Sequence, residues 1–281
     1  MDILNKEAWE QKALINAGAL SVSELMQETL ARIELVNPKV NALVNILSKA
    51  ACEKLTSGEC PFGGALGGMP MAIKDLANVK GFKTTEGSPL YSERIARKDD
   101  QMVARLRAAG ALFIGKTNTP EFGLGSNTFN PVYGKTKNPY DLTRTCGGSS
   151  GGAAVALATR MLSISDGSDM MGSLRNPAAW NNVYGLRPTW GLVPPEPSGE
   201  IFLSQLSTLG PMARSPKDLA LLLDVQANHS ENKSYVSQSK SFSNFTAQPR
   251  MEGIKIGWLG DWGGTLAFED ELLDLAQNAL N

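Results

Sequence analysis

Two serine-bearing segments and one lysine hold the residue types from which a hydrolytic centre can be built. Residues 145–152 read TCGGSSGG and fit G-x-S-x-G at 147–151, and again one residue later. A serine nucleophile in such a turn needs a base beside it. The single histidine, His229, lies in Ala-Asn-His-Ser-Glu-Asn-Lys-Ser, a polar setting that reads as an exposed loop, so a Ser-His-Asp mechanism lacks a credible base. A lysine can take that place when its ammonium is desolvated and its pKa falls toward neutrality. Lys74 fits this role because the apolar run Met71-Ala72-Ile73 delivers it to the edge of a buried layer; the plainer reading is a solvated lysine at a strand end. In 166–175 (DGSDMMGSLR), unpaired N–H groups before Ser173 would form an oxyanion hole around its hydroxyl, and Asp169 and Arg175 would brace the loop. The plainer reading there is a turn with a surface ion pair. Residues 147–152 could likewise be a linker, but they run directly into an Ala-rich helical stretch, where small residues let backbone approach closely. Residues 110–117 (GALFIGKT) match the phosphate-binding P-loop letter for letter. The context opposes it: the four intervening residues are an apolar strand, and Thr119 precedes a proline, which disfavours the required helix.

The elements that must position these groups follow from periodicity. Ser21-Val22-Ser23-Glu24 is a capping-box pattern, with Met26, Leu30 and Ile33 at helical spacing behind it and Pro38 expected to close the helix. A second helix is expected over 41–55, a loop over 57–70, a buried strand over 69–73, a helix over 99–109 and a strand over 111–114. An Ala-rich helix is expected over 153–161, a Gly/Ser/Asp-rich loop over 163–177, and a polar connection over 228–251. A strand over 254–259 and a helix over 268–280 complete the pattern. Helices alternating with short apolar strands imply α/β layering. The 27 basic and 28 acidic residues nearly cancel, which gives no support to a nucleic-acid-binding protein. Three cysteines and one histidine are too few for a disulfide framework or a histidine-rich metal site. No apolar stretch is long enough for a membrane span. The amino terminus carries acidic residues and no apolar core, so a cytoplasmic location is expected and the N-x-[ST] triplets at Asn228, Asn232 and Asn244 carry little weight.

Six segments together resemble the amidase signature family in type, order and spacing: GGMPMAIKDL around Lys74, GKTNTPEFG, GGSSGGAAVALA, GSDMMGSLRNPAAW, YGLRPTWGLVP and GPMARSPKDLALLL. The resemblance implies an α/β fold with a mixed, mostly parallel sheet surrounded by helices. Residues 1–281 would be the amino-terminal portion of one such domain, with a helical segment over about 1–56 and the catalytic core over 57–281. Family members are considerably longer, so the chain is expected to stop where more sheet and substrate pocket should follow. The family uses a Ser-cis-Ser-Lys triad. The matching positions make Ser173 the nucleophile toward an amide carbonyl, Ser149 (whose bond to Gly148 is cis in the family) the proton relay, and Lys74 the base. The N–H groups of Met170, Met171, Gly172 and Ser173 would hold the oxyanion, with Ser150 supporting the network. A small-molecule amide is the implied substrate, no cofactor or metal is implied, and a homo-oligomer is left open. Met171 stands where the family commonly has glycine, which narrows the conformations open to the oxyanion loop. Two other readings keep the same fold. One is the A-type subunit of the aminoacyl-tRNA amidotransferase, ranked lower on the Met170-Met171 pair and Trp180-Asn181-Asn182; the other is an inactive binding domain with an unreactive Ser173.

Overall fold

The computed structural model describes residues 3–57, 63–196, 205–227, 241–243, 252–269 and 271–280. They fall into two units, Met1–Phe245 and Thr246–Asn281. The first unit opens with helices α1 (Ala8–Asn16) and α2 (Val22–Val40). The capping box of α2 forms: Glu24 N–H donates to Ser21 Oγ at 3.1 Å, and Ser21 N–H donates to Glu24 Oε2 at 2.8 Å. The helix does not stop at Pro38 as expected. It ends at Asn41, which takes a left-handed φ of 52°, while Asn37 Oδ1 accepts the N–H groups of Ala42 and Leu43 at 2.9 Å each. That sharp exit also breaks the helix expected over 41–55. Its first part is strand β1 (Leu43–Val44), held by a neighbouring strand, and only the remainder is helix α3 (Lys49–Ser57).

Strand β2 (Pro70–Lys74), helix α4 (Gln101–Ala108) and strand β3 (Leu112–Thr117) form a β-α-β unit. β2 and β3 are parallel, with Ile73 opposite Lys116 and Lys74 opposite Thr117, and β1 pairs antiparallel with the other edge of β3. Both faces of this sheet are covered. Met71, Ile73 and Phe113 point into one apolar cluster with Leu106 and Leu222, while Ala72, Leu112 and Ile114 point into another with Met26 and Leu157. A hairpin of β4 (Phe129–Asn130) and β5 (Gly134–Lys135) precedes helix α5 (Gly151–Ala158). α5 is buried over nearly its whole length and lies very close to the sheet: a Cβ on Gly152 would come within 2.3 Å of the Asn118 nitrogen and 2.6 Å of the Ala42 oxygen.

The loop expected over 163–177 is instead strand β6 (Ile164–Asp169) followed by a tight turn and helix α6 (Arg175–Trp180). β6 pairs antiparallel with β8 (Thr208–Ala213) over its full length, and β7 (Tyr184–Gly185) pairs with the far edge of β8. The sequence ISDGSD has little intrinsic strand preference; burial and a complete ladder override it. Helix α7 (Pro216–Ala227) covers this second sheet. The α/β class with mixed sheets stands, with β2–β3 parallel and the other described pairs antiparallel. Helices α1 to α3 belong to the same unit as the strands.

In the second unit, the strand expected over 254–259 is absent: Ile254, Ile256, Trp258 and Leu259 are exposed and pair with no strand among the described residues. The helix expected over 268–280 is α8 (Leu272–Asn278), which buries none of its residues. No helix among the described residues is long and apolar enough to cross a membrane, and no metal-ligand cluster occurs among them.

Candidate active site

Strand β2 ends by placing Lys74 in the interior with 1% of its surface exposed. Its Nζ donates to Ser149 Oγ at 2.7 Å, Ser150 Oγ at 2.8 Å and Ser168 Oγ at 3.0 Å. Three hydroxyls thus surround the nitrogen, and no carboxylate forms an ion pair with it among the described residues. Desolvation disfavours the ammonium, so burial pushes the Lys74 pKa down to about 7 against the pull of Asp166 and Asp169. An amine so poised accepts a proton from a neighbouring hydroxyl near neutral pH.

A second buried lysine lies alongside. Lys116, the penultimate residue of β3, donates to the Ala77 carbonyl and to Thr84 Oγ1 at 3.3 Å, and Asp75 Oδ1 is 3.7 Å away. Burial pushes it down to about 8, with Asp75 opposing. Lys116 is a strand residue without solvent access, which agrees with the sequence argument against a P-loop.

The serine loop is fixed by Thr128, whose Oγ1 donates to the Gly147 carbonyl at 2.9 Å and accepts the Gly151 N–H at 3.2 Å. The Gly148–Ser149 peptide is cis. Ser149 and Ser150 are buried, and Ser150 is the N-cap residue of α5. Cys146 beside them is no rival nucleophile, since burial pushes its thiol up to about 12.

The turn after β6 is built on Asp169, which is fully buried. Its Oδ1 accepts the Gly172 N–H at 2.7 Å and its Oδ2 the Leu174 N–H at 3.1 Å. Arg175 Nε binds Oδ2 at 3.0 Å, and Arg187 Nε lies 3.3 Å from Oδ1. Burial alone would raise this carboxyl, but the bonds from Arg175, Gly172 and Leu174 carry it down to about 2. The bracing by Asp169 and Arg175 expected from sequence is therefore present, though its anchor is buried rather than a surface pair. Gly172 departs from the expected oxyanion role because its N–H is already donated to Asp169. Its φ of 121° lies in a region that L side chains rarely adopt, so glycine is needed at that position. The N–H groups of Met170, Met171 and Ser173 make no hydrogen bond among the described residues.

The structure brings Lys74, Ser149 and Ser150 into direct contact. Ser173 joins them through the main chain, its carbonyl accepting the Ser150 N–H at 3.2 Å. The Ser173 hydroxyl makes no hydrogen bond among the described residues, so the expected link to Ser149 Oγ is not formed in this state. Catalytic hydrogen bonds commonly tighten only with substrate bound. Sequence reasoning missed Ser168, Asp166 and Arg187. The first two share one face of β6 and would have emerged from two-residue periodicity had 164–169 been read as a strand. A cavity of about 260 Å³ opens on Lys74, Asp166 and Ser168, walled by Met102, Trp190 and Leu209. His229 lies outside the described residues.

Comparison with known proteins gives this geometry its context. A family model described as amidase matches residues 24–279. The A-type subunit of glutamyl-tRNA(Gln) amidotransferase from Coxiella burnetii (strain RSA 493 / Nine Mile phase I) is 40% identical over 258 residues, covering 88% of this chain and 52% of the relative. Among solved structures, 6-aminohexanoate cyclic dimer hydrolase complexed with substrate superposes with a TM-score of 0.79 at 33% identity, covering 87% of this chain and 51% of that one. A bacterial aryl acylamidase of the amidase signature family gives a TM-score of 0.76 at 30% identity, covering 85% and 51%. The chain thus spans about half the length of the curated relatives it matches. A family match over most of the chain, and a fold shared with amidase signature enzymes, lead to one conclusion: this chain belongs to the amidase signature family.

Proposed function

We propose that this protein hydrolyses the C–N bond of a carboxylic amide through an acyl-enzyme on Ser173. Lys74, as the neutral amine, takes the Ser149 hydroxyl proton while Ser149 takes that of Ser173. Ser173 Oγ then bonds to the carbonyl carbon. The N–H groups of Met170, Met171 and Ser173 receive the developing oxyanion, and one such donor is typically worth about 3 kcal/mol of transition-state stabilisation. The C–N bond breaks as the Lys74 ammonium returns its proton through Ser149 to the leaving nitrogen. Water then releases the acid and restores Ser173. The reaction so written calls for no cofactor.

The observation that carries this reading is the Lys74 nitrogen, sealed from solvent and in contact with three serine hydroxyls, with no carboxylate paired to it among the described residues. A lysine kept only as a structural cation would sit on a carboxylate, as Lys116 does on Asp75. A second reading is favoured by the 40% identity to the A-type glutamyl-tRNA(Gln) amidotransferase chain. It shares every step through the acyl-enzyme, takes glutamine as the amide, and passes the ammonia to a partner.

The fate of the ammonia separates the two readings. The full-length protein, purified alone, is incubated with glutamine and with linear, aryl and cyclic amides, and the acid is measured together with the ammonia or amine freed, which for a cyclic amide is the ring-opened amino acid. Release of both without a partner supports the hydrolase; release from glutamine only on addition of amidotransferase partner proteins and tRNA supports the second reading. No release under either condition, with Ser173 unreactive in folded protein, would leave an inactive member of the family.

A further inference from the structure

Asp166 has no part in the chemistry above, yet it is buried with 1% of its surface exposed, on the strand beside Lys74. Its Oδ1 accepts the Lys74 main-chain N–H at 3.0 Å. Two residues along the same face of β6, the Ser168 hydroxyl holds Lys74 Nζ at 3.0 Å. One strand face therefore grips both ends of the lysine, and Asp166 lines the same cavity as Lys74 and Ser168. We propose that Asp166 is a positioning residue for Lys74, anchoring its backbone and supplying the buried negative charge that the lysine needs when it takes up the nucleophile's proton. This rests on the hydrolytic reading above. An ammonium formed in a desolvated site is costly unless a fixed opposite charge stands by, and a carboxylate already in place stabilises it without reorganisation.

The charged groups around Asp166 come from several elements, and Asp100 and Glu196 line the same cavity. Lys74 comes from β2 and Lys116 from β3, and both favour the ionised carboxylate, whereas burial pushes Asp166 up to about 6. Asp169 lies on the same strand and also acts on Lys74. Strand β8 and helix α5 carry no titratable side chain. On helix α7, Asp218 accepts the Ala8 and Trp9 N–H groups, Asp224 is held by Ser241 and Phe242, and Lys217 lies over the Trp9 ring.

The test is the pH dependence of fluorophosphonate labelling of Ser173 in the full-length protein. Asp166→Asn keeps an acceptor for the Lys74 N–H and removes the charge. Without that charge the ammonium is less favoured, so the acid limb moves to lower pH by about one unit while the plateau rate falls by up to about tenfold. Asp166→Ser is the second variant should the first not fold, with the same shift expected. A variant of lowered melting temperature with an unmoved acid limb and plateau would overturn the inference and leave Asp166 a packing residue. Lys74→Met is run alongside. Wild-type labelling there would overturn the hydrolytic reading itself; no labelling there, with a wild-type profile in Asp166→Asn, would overturn only the role of Asp166.

Discussion

The three hydroxyls on Lys74 Nζ are not equivalent. Ser149 is the one assigned to take the Ser173 proton while passing its own to Lys74, whereas Ser168 only completes the lysine's shell at 3.0 Å. Ser149→Ala is therefore expected to slow amide hydrolysis by about a thousandfold or more, the size typical of an essential triad member. Ser168→Ala removes one hydrogen bond of about 1 kcal/mol and should cost about fivefold to tenfold in kcat. Comparable losses for the two, measured side by side on one amide, would contradict the relay. His229→Ala should leave kcat within about twofold, since a loss of the triad's size would restore the imidazole to the mechanism. The lysine, the two serines and the Asp169–Arg175 brace were all legible as residue types in small-residue surroundings. The Lys74–Asp166 contact was not, because it joins residues 92 apart in sequence.

At the scale of elements, the site depends on backbone approaching backbone. Gly167 in β6 faces Ser150 and Leu174: an added Cβ would lie 2.6 Å from Leu174 Cδ2 and 2.9 Å from Ser150 Oγ. Gly167→Ala should push Ser150 off Lys74, lowering kcat while costing about 1–3 kcal/mol of stability. Gly152→Ala meets rigid main chain at Asn118 and Ala42 instead, so loss of soluble, folded protein is the expected result, read by circular dichroism and yield. The α2 capping box and strand β2 could be read from sequence because cap chemistry and an apolar run are local signals. Strand β6 could not, since Ile164–Asp169 is a strand only by virtue of β8, 39 or more residues later. The reverse holds for 254–259, where alternating apolar residues read as a strand but no partner strand accompanies them among the described residues.

For the whole molecule, two buried lysines tie stability to pH. Lys74 is held at about 7 and Lys116 at about 8, both below the 10.5 of a free lysine. Between these values the unfolded chain binds protons that the folded chain does not, so stability rises as pH increases through that interval. The urea midpoint of the wild type should climb from about pH 8 to pH 10, with a smaller slope in Lys74→Met, and equal slopes would contradict the assignment. The family was legible because six separated segments kept their order; the finer choice between a hydrolase and an amidotransferase component was not, since both share the chemistry up to the acyl-enzyme. The central claim is that a solvent-shielded amine activates Ser173 through Ser149. Its most direct test is the rate of fluorophosphonate labelling at Ser173 across pH in wild type and Lys74→Met. The account predicts labelling that fades as pH falls below about 7 in the wild type and is absent in the variant. Equal rates and pH profiles in the two proteins would contradict it.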